Sequence, residues 1–169
     1  MKQSRYHTFL QRVGAAFADG FILFVFYWLI ELITGYNIAG TPNADIIFIV
    51  YSIYLHGRYG QTAGKMALHV KVVDNADETK CIGYYRAALR EIGLIVSFIL
   101  SIVFKPMLLS LDMYTPIAFI LSFGWTTAEL VTMLFNDKRR AIHDFIAGSV
   151  VINTAKPSEW EQKYYYAKK

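Results

Sequence analysis

The stretch "VGAAFADGFILFVFYWLIELI" (residues 13–33) forms the most apolar run of the chain. As an α-helix its 21 residues extend about 31 Å, which is enough to cross the hydrocarbon core of a bilayer, roughly 30 Å thick. The run is too long for the apolar part of a signal peptide, contains Asp19 and Glu31, and lacks a small-x-small cleavage site at its end. The stretch therefore predicts a retained transmembrane helix with a carboxylate inside it.

The composition places the whole chain among membrane proteins, since 55% of its 169 residues are hydrophobic and only 18% are charged. Three further apolar runs are candidate spans, at residues 42–56, 88–105 and 115–135. The run 88–105 is expected to end before Pro106, because proline disfavours a helical conformation at the residue before it. The sequence therefore predicts an all-α membrane protein, a four-helix transmembrane bundle.

The positions of the basic residues predict the topology of this bundle. All but Lys105 of the 17 Lys and Arg residues fall in segments 1–12, 57–87 and 136–169 or in the first turn of the third span. The loop 34–41 has no basic residue. Because cytoplasmic segments are enriched in Lys and Arg, both termini are expected to be cytoplasmic. Topology thus explains the net charge of +4, and no nucleic-acid partner is expected.

Two short segments on the cytoplasmic side predict a small cap. "LHVKVVD" (68–74) and "AGSVVIN" (147–153) resemble short β-strands, and we expect them to pair into a β-ribbon. "GRYGQTAGKM" (57–66) lacks the spacing of a phosphate-binding loop and is interpreted as a glycine-rich turn. The predicted membrane domain covers residues 1–153. The cytoplasmic tail, 154–169, is either an aromatic anchor at the membrane interface or a mobile terminus.

Enzyme and metal chemistry have little support in the sequence. The four His residues share no metal-ligand spacing, and the single Cys81 has no partner nearby. No arrangement of Ser, His and Asp indicates a nucleophilic triad. We therefore expect no catalytic residue, no metal and no cofactor.

The carboxylates inside the predicted spans are the first candidates for function. Asp19 and Glu129 lie at similar depth, roughly 10 Å from the cytoplasmic ends of the first and fourth spans. If these spans pack together, the two side chains would face one cavity, and two carboxylates at low dielectric favour binding a proton or a cation. Alternatively, Asp19 pairs with Arg12 or accepts hydrogen bonds from hydroxyls and stabilises the bundle. For Glu129 the alternative is a polar helix-packing stripe.

The segment "NDKRRAIHD" (136–144) suggests a second site at the cytoplasmic face. Arg140 precedes Asp144 by four residues, a spacing that favours a helical ion pair. The functional alternative is an inner-face gate in which Asp144 meets Arg12. Arg140 and Lys65 are further candidates for that gate.

Together, Arg12 near the start of the first helix, Asp19 within it and Asp144 further on resemble the RDD family of bacterial membrane proteins. "QTAGKMALHVKVVD" is similar to the family's Gly-Lys segment and following strand, and "DKRRAIHDFIAGSVVI" is similar to its closing segment. The resemblance covers roughly residues 5–153. It departs from the family pattern after Lys65, at residues 66–69, where the family tends to have basic residues and Gly. Glu129 is outside the resemblance.

The resemblance implies transport of a ligand, and some members of the family resemble cation/proton antiporters. We therefore expect a multi-pass protein of the bacterial cytoplasmic membrane that transports a small ligand, with exchange of a monovalent cation for a proton as its specific form. Asp19 is the expected titrating carboxylate. Because so small a bundle encloses little volume, we also expect a homo-oligomer. The competing interpretation is a non-transporting membrane scaffold or partner subunit.

Overall fold

The computed structural model describes residues 4–39, 41–110 and 114–155, and the predicted tail lies outside it from residue 156 onward. The described chain is mostly helical, with one small sheet. Its elements, in chain order, are a 3-10 turn at Ser4–Tyr6, α1 (Phe9–Thr34), α2 (Pro42–Tyr59), α3 (Ala63–Ala67), β1 (Val70–Asp74), α4 (Gly83–Arg90), α5 (Ile92–Ser110), α6 (Tyr114–Leu134), α7 (Ile142–Ile146) and β2 (Ser149–Asn153).

Helix α1 contains the whole predicted first span and is long and apolar enough to cross a membrane. It directs large apolar side chains outward, with Phe17 77% exposed and Leu32 68% exposed. An exposed apolar surface on a long helix suits contact with lipid. Within the described residues, the bent pair α4–α5 is a second candidate span. One or two helices thus meet the length and composition of a span, and the four-span bundle stays a prediction.

The third predicted span differs from the helices observed. Instead of one helix over 88–105, α4 ends at Arg90 and α5 begins at Ile92, with a bend of 56° between them. Helix α5 also continues past Pro106 to Ser110, so the predicted end before Pro106 is wrong. Proline removes one backbone N–H donor, but its fixed φ is close to the helical value, so the residues after it continue the helix.

The predicted β-ribbon is confirmed. Strands β1 and β2 pair antiparallel, with Val72 opposite Val151. Alternate residues of the ribbon enter two apolar clusters, so that both of its faces are covered. One cluster contains Val70, Val72, Ile82, Ala87 and Val151, and the other contains Tyr6, Val73, Val150 and Ile152. This packing explains how a two-stranded ribbon, marginal by itself, forms a stable cap.

Candidate functional site

A cavity of about 420 Å³ lies among the helices at the end that carries the cap. Both Asp19 and Glu129 line it, as their similar depth in the sequence suggested. Side chains of α1, α2, α3, α6, α7 and the α4–α5 junction contribute to its wall. Its titratable and charged lining residues are Arg12, Asp19, His56, Lys65, Arg90, Glu91, Glu129 and His143.

Asp19 is buried and accepts hydrogen bonds from three uncharged donors. Oδ1 accepts from the Tyr51 hydroxyl and from the backbone N–H of Gly64, both at 2.8 Å, and Oδ2 accepts from the Thr62 hydroxyl at 2.6 Å. The Gly64 and Thr62 donors lie at the N-terminus of α3, so their hydrogen bonds join α3 to α1. Of the alternatives open from the sequence, the geometry favours hydroxyl and amide donors over Arg12.

Gly64 makes this contact between α1 and α3 close enough to form. A Cβ atom at this position would overlap the Ala15 carbonyl oxygen and would lie 2.9 Å from the backbone N of Asp19. A side chain at position 64 would therefore push α3 away from α1 and from the Asp19 carboxylate. The predicted glycine-rich turn before α3 is also observed, since Gly60 ends α2 with φ of 71°.

Asp144 is completely buried and is held mainly by charged donors. Oδ2 accepts from Arg12 Nη1 at 2.7 Å and from the Ala141 N–H at 3.1 Å, while Oδ1 accepts from Arg90 Nη1 and from the Ser149 hydroxyl. Burial alone would raise the pKa of Asp144, but the guanidinium groups of Arg90 and Arg12 outweigh it and hold that pKa well below its usual value. The predicted meeting of Arg12 and Asp144 is thus observed.

Arg140 does not form the predicted helical ion pair with the Asp144 carboxylate. Its Nε donates to the backbone oxygen of Ser149 at 2.9 Å, and its Nη2 donates to the backbone oxygen of Asp144 at 3.0 Å. The reason is that α7 begins only at Ile142, after the N-cap Ala141, so Arg140 lies outside the helix in which the i,i+4 spacing would apply.

Lys65 contacts His56, which is connected to the carboxylate of Glu91 through Ser52. Lys65 Nζ lies 2.6 Å from His56 Nε2, and His56 Nδ1 lies 3.0 Å from both the backbone oxygen and the hydroxyl of Ser52. The Ser52 hydroxyl donates to Glu91 Oε1 at 2.6 Å. Because a protonated Lys65 can only donate, His56 accepts at Nε2 and, when neutral, carries its proton on Nδ1.

The environment of Lys65 disfavours its charge. The Lys65 side chain lines the cavity wall and is only partly exposed. Burial and the nearby Arg90 guanidinium lower the pKa of Lys65 to about 7. At neutral pH both forms of this amine are therefore populated.

Glu129 is paired with His143. Oε1 of Glu129 lies 2.5 Å from His143 Nδ1, and Arg90 Nη2 donates to His143 Nε2 at 2.9 Å. Arg90 thereby joins the Glu129 pair to the Asp144 site, since its guanidinium contacts both. Glu129 and Asp19 share the cavity but make separate contacts.

Several residues of this site had no role in the sequence prediction. They are Ser52, His56, Arg90, Glu91 and His143. The spacing of Ser52 and His56, four residues apart on one helix, was the one available signal. Arg90 was interpreted only through its effect on topology. Within the described segments, no group of three or more His, Cys, Asp or Glu side chains could hold a metal ion.

Comparisons with known proteins place this arrangement in a family. Neither a search of curated proteins nor a search of solved structures found a match. The model of the RDD family matches residues 6–148, which include Arg12, Asp19 and Asp144. Members of this family are commonly associated with membranes. Because the match covers most of the sequence, the chain belongs to the RDD family.

Proposed function

We propose that this RDD protein spans the bacterial cytoplasmic membrane four times, with both termini cytoplasmic, and transports a small ligand. The distribution of Lys and Arg supports this topology. The apolar outer surface of α1 supports contact with lipid. In this orientation the cap and the polar cavity lie at the cytoplasmic side.

The cavity is the observation that carries the transport proposal. It has a volume of about 420 Å³, which exceeds the roughly 30 Å³ share of one water many times, so a small hydrated cation fits. Glu91 and Glu129 supply carboxylate oxygens to its wall, and Lys65 supplies an amine that titrates near neutral pH. A site with anionic oxygens and an exchangeable proton has the groups needed for monovalent cation/proton antiport.

Asp19 remains a candidate for the titrating carboxylate. Its three donors join α1 to α2 and α3, so its contacts also suit a purely stabilising role. Replacing Asp19 distinguishes these two roles. A transport role predicts a variant that folds but shows no flux, whereas a purely stabilising role does not predict a folded variant without flux.

The test is ion flux in proteoliposomes that contain the purified protein and an internal pH dye. On addition of sodium, lithium or potassium, the wild type is expected to change the internal pH, and Asp19→Asn is expected to fold without doing so. Asp77→Asn is the matched control, since Asp77 lies in a turn of the cap, outside the cavity. Flux in no protein, with all three folded, would contradict transport of these cations.

A second candidate is a non-transporting scaffold or partner subunit, in which the buried charged groups only stabilise the fold. Its support is that Asp19, Glu91, Glu129 and Asp144 all accept hydrogen bonds from other elements. This function predicts no ion flux, and it predicts that a partner protein stays bound to the purified protein. The mass of the purified particle would also test the expected homo-oligomer.

A further inference from the structure

A row of contacts runs from Lys65 through His56 and Ser52 to Glu91 and joins the amine and one of the carboxylates that the proposed antiport uses. It connects α3, α2 and the break between α4 and α5, and it borders the cavity along its length. We propose that Lys65 carries the exchanged proton and that a monovalent cation bound at Glu91 competes with it. This inference rests on the proposed antiport and identifies the residues that perform it.

The first support is the difference between Lys65 and the arginines beside it. Arg12 and Arg90 both donate directly to the Asp144 carboxylate. Lys65 donates to the uncharged Nε2 of His56, and among the described residues no carboxylate oxygen lies within 4 Å of its Nζ. A neutral acceptor fixes the position of the ammonium group without neutralising it, so its proton is held less firmly than in an ion pair.

The second support is the balance of charge around Lys65. The groups that face it are Arg12 and Asp19 from α1, His56 from α2, Arg90 and Glu91 from the α4–α5 junction, Glu129 from α6, and His143 and Asp144 from α7. The two arginines oppose a charge on Lys65, whereas Glu91 and Asp144 favour it. Asp144 already shares its charge between two arginines, and Glu129 is paired with His143. Of the carboxylates that favour a charge on Lys65, Glu91 contributes most, ahead of Asp144.

The third support is the surroundings of Glu91. It is 8% exposed, and its Oε1 accepts from the Ser52 hydroxyl at 2.6 Å. His56 Nδ1 lies 3.7 Å from the same oxygen. The carboxylate and hydroxyl oxygens of this pair are hard ligands of the kind that a small cation prefers.

These contacts give an exchange of one charge for one charge. When the Lys65 ammonium releases its proton to water in the cavity, the amine becomes neutral and Glu91 keeps its negative charge. A monovalent cation that binds at Glu91 then restores the balance. Reprotonation of Lys65 weakens the hold on that cation, because two positive charges would then share one carboxylate.

The test is a direct titration of Lys65 in the purified full-length protein in detergent. Lysine amines are reductively methylated with 13C-formaldehyde, and their NMR resonances are followed against pH, with Lys65→Arg used for assignment. The medium contains N-methylglucamine, sodium, lithium or potassium at equal ionic strength. We expect one resonance to titrate near neutral pH, with a midpoint that falls by about one pH unit when a small cation is present at tenfold its dissociation constant.

Glu91→Gln is expected to abolish this dependence on the cation, and Lys80→Met, at an exposed lysine, is expected to leave it unchanged. His56→Gln keeps a hydrogen-bond acceptor and serves as the second variant should Glu91→Gln fail to fold, with an altered Lys65 midpoint expected. A midpoint that is the same in all four media, or that lies at the usual value of an exposed lysine, would overturn the proposal.

The flux assay distinguishes a failure of this proposal from a failure of the antiport on which it rests. Lys65→Met is expected to fold and to lose cation-driven pH change, while Lys80→Met retains it. Flux in the wild type with a cation-independent Lys65 midpoint would leave antiport standing and refute the role of Lys65. A cation-dependent midpoint without flux would refute antiport and leave the competition at Glu91 standing.

Discussion

Asp19 and Asp144 are both buried carboxylates, yet the protein holds them by different means. Asp144 lies between two guanidinium groups, whereas Asp19 accepts from two hydroxyls and one backbone N–H. The Asp144 site therefore depends on charge, and the Asp19 site depends on the close fit of α3 against α1. Replacements at the two sites should differ in the size of their effect and in their response to pH and salt.

The largest effect is expected for Asp144→Asn. It leaves Arg12 and Arg90 buried without their counter-charge, and breaking a buried ion pair costs about 3–5 kcal/mol. Thermal unfolding in detergent would measure the loss. Asp74→Asn is the matched control, because Asp74 pairs with Arg86, whose side chain is 41% exposed, and such pairs contribute about 1 kcal/mol or less. Equal losses at the two positions would contradict an ionic role for Asp144.

The pH dependence of the same unfolding gives an independent check. The pKa of Asp144 falls on folding, so its contribution is complete above the unfolded value of about 3.9 and disappears as the pH falls below it. The part of the difference between wild type and Asp144→Asn that comes from the Asp144 charge should thus persist from neutral pH down to about pH 5 and shrink only at lower pH. A difference that shrinks near neutral pH would indicate another titrating group.

A smaller effect is expected for Gly64→Ala, which disturbs the Asp19 site without removing a charge. The added methyl group would overlap the Ala15 carbonyl oxygen, and overpacking of this kind costs about 1–3 kcal/mol. Gly20→Ala is the matched control, since a Cβ atom there meets nothing within 4 Å and alanine favours a helix. The midpoint of thermal unfolding should therefore be lower for Gly64→Ala than for the wild type, and equal or higher for Gly20→Ala. The reverse order would show that α3 is not held against α1 at this point.

The smallest effect is expected at Glu78, in the cap. Glu78 accepts from the Tyr6 hydroxyl at 2.6 Å, from Lys138 at 3.1 Å and from Arg5 at 3.2 Å. Because these groups are partly exposed, Glu78→Gln should cost about 1 kcal/mol or less, and high salt should reduce the difference. The cost of Asp144→Asn should hardly respond to salt. A large loss of stability in Glu78→Gln would show that the cap makes a major contribution to stability that the comparison of Asp19 with Asp144 omits.

The sequence was most informative where a short segment decides its own structure. The apolar run of α1 and the alternation in β1 and β2 specify those elements locally, since each pattern matches the period of its secondary structure. The carboxylate inside α1 could be found in the same way. The break between α4 and α5 at Glu91 could not be predicted from the sequence. Residues 92–104 form an apolar run like that of an unbroken transmembrane helix.

The partners of the site depended on packing between distant segments. Lys65 and His56 are nine residues apart on either side of a turn, and Glu91 reaches Ser52 across 39 residues. No local pattern specifies such pairs, because they follow from the angles at which α2, α3 and α4 meet. Arg140 shows the opposite error, in which a helical spacing was applied to a residue just outside the helix.

The pairing of β1 with β2 also determines the order in which the protein can be completed during synthesis. The ribosome makes β1 before α5 and α6, but its partner strand only after them. Until then the buried edge of Val70–Asp74 has no strand beside it, and Arg90 has not met Asp144. The cap and the carboxylate that neutralises two arginines thus arrive together, in the same late segment of the nascent chain. Closure of the cap therefore has to wait until the segment that contains α7 and β2 has been made.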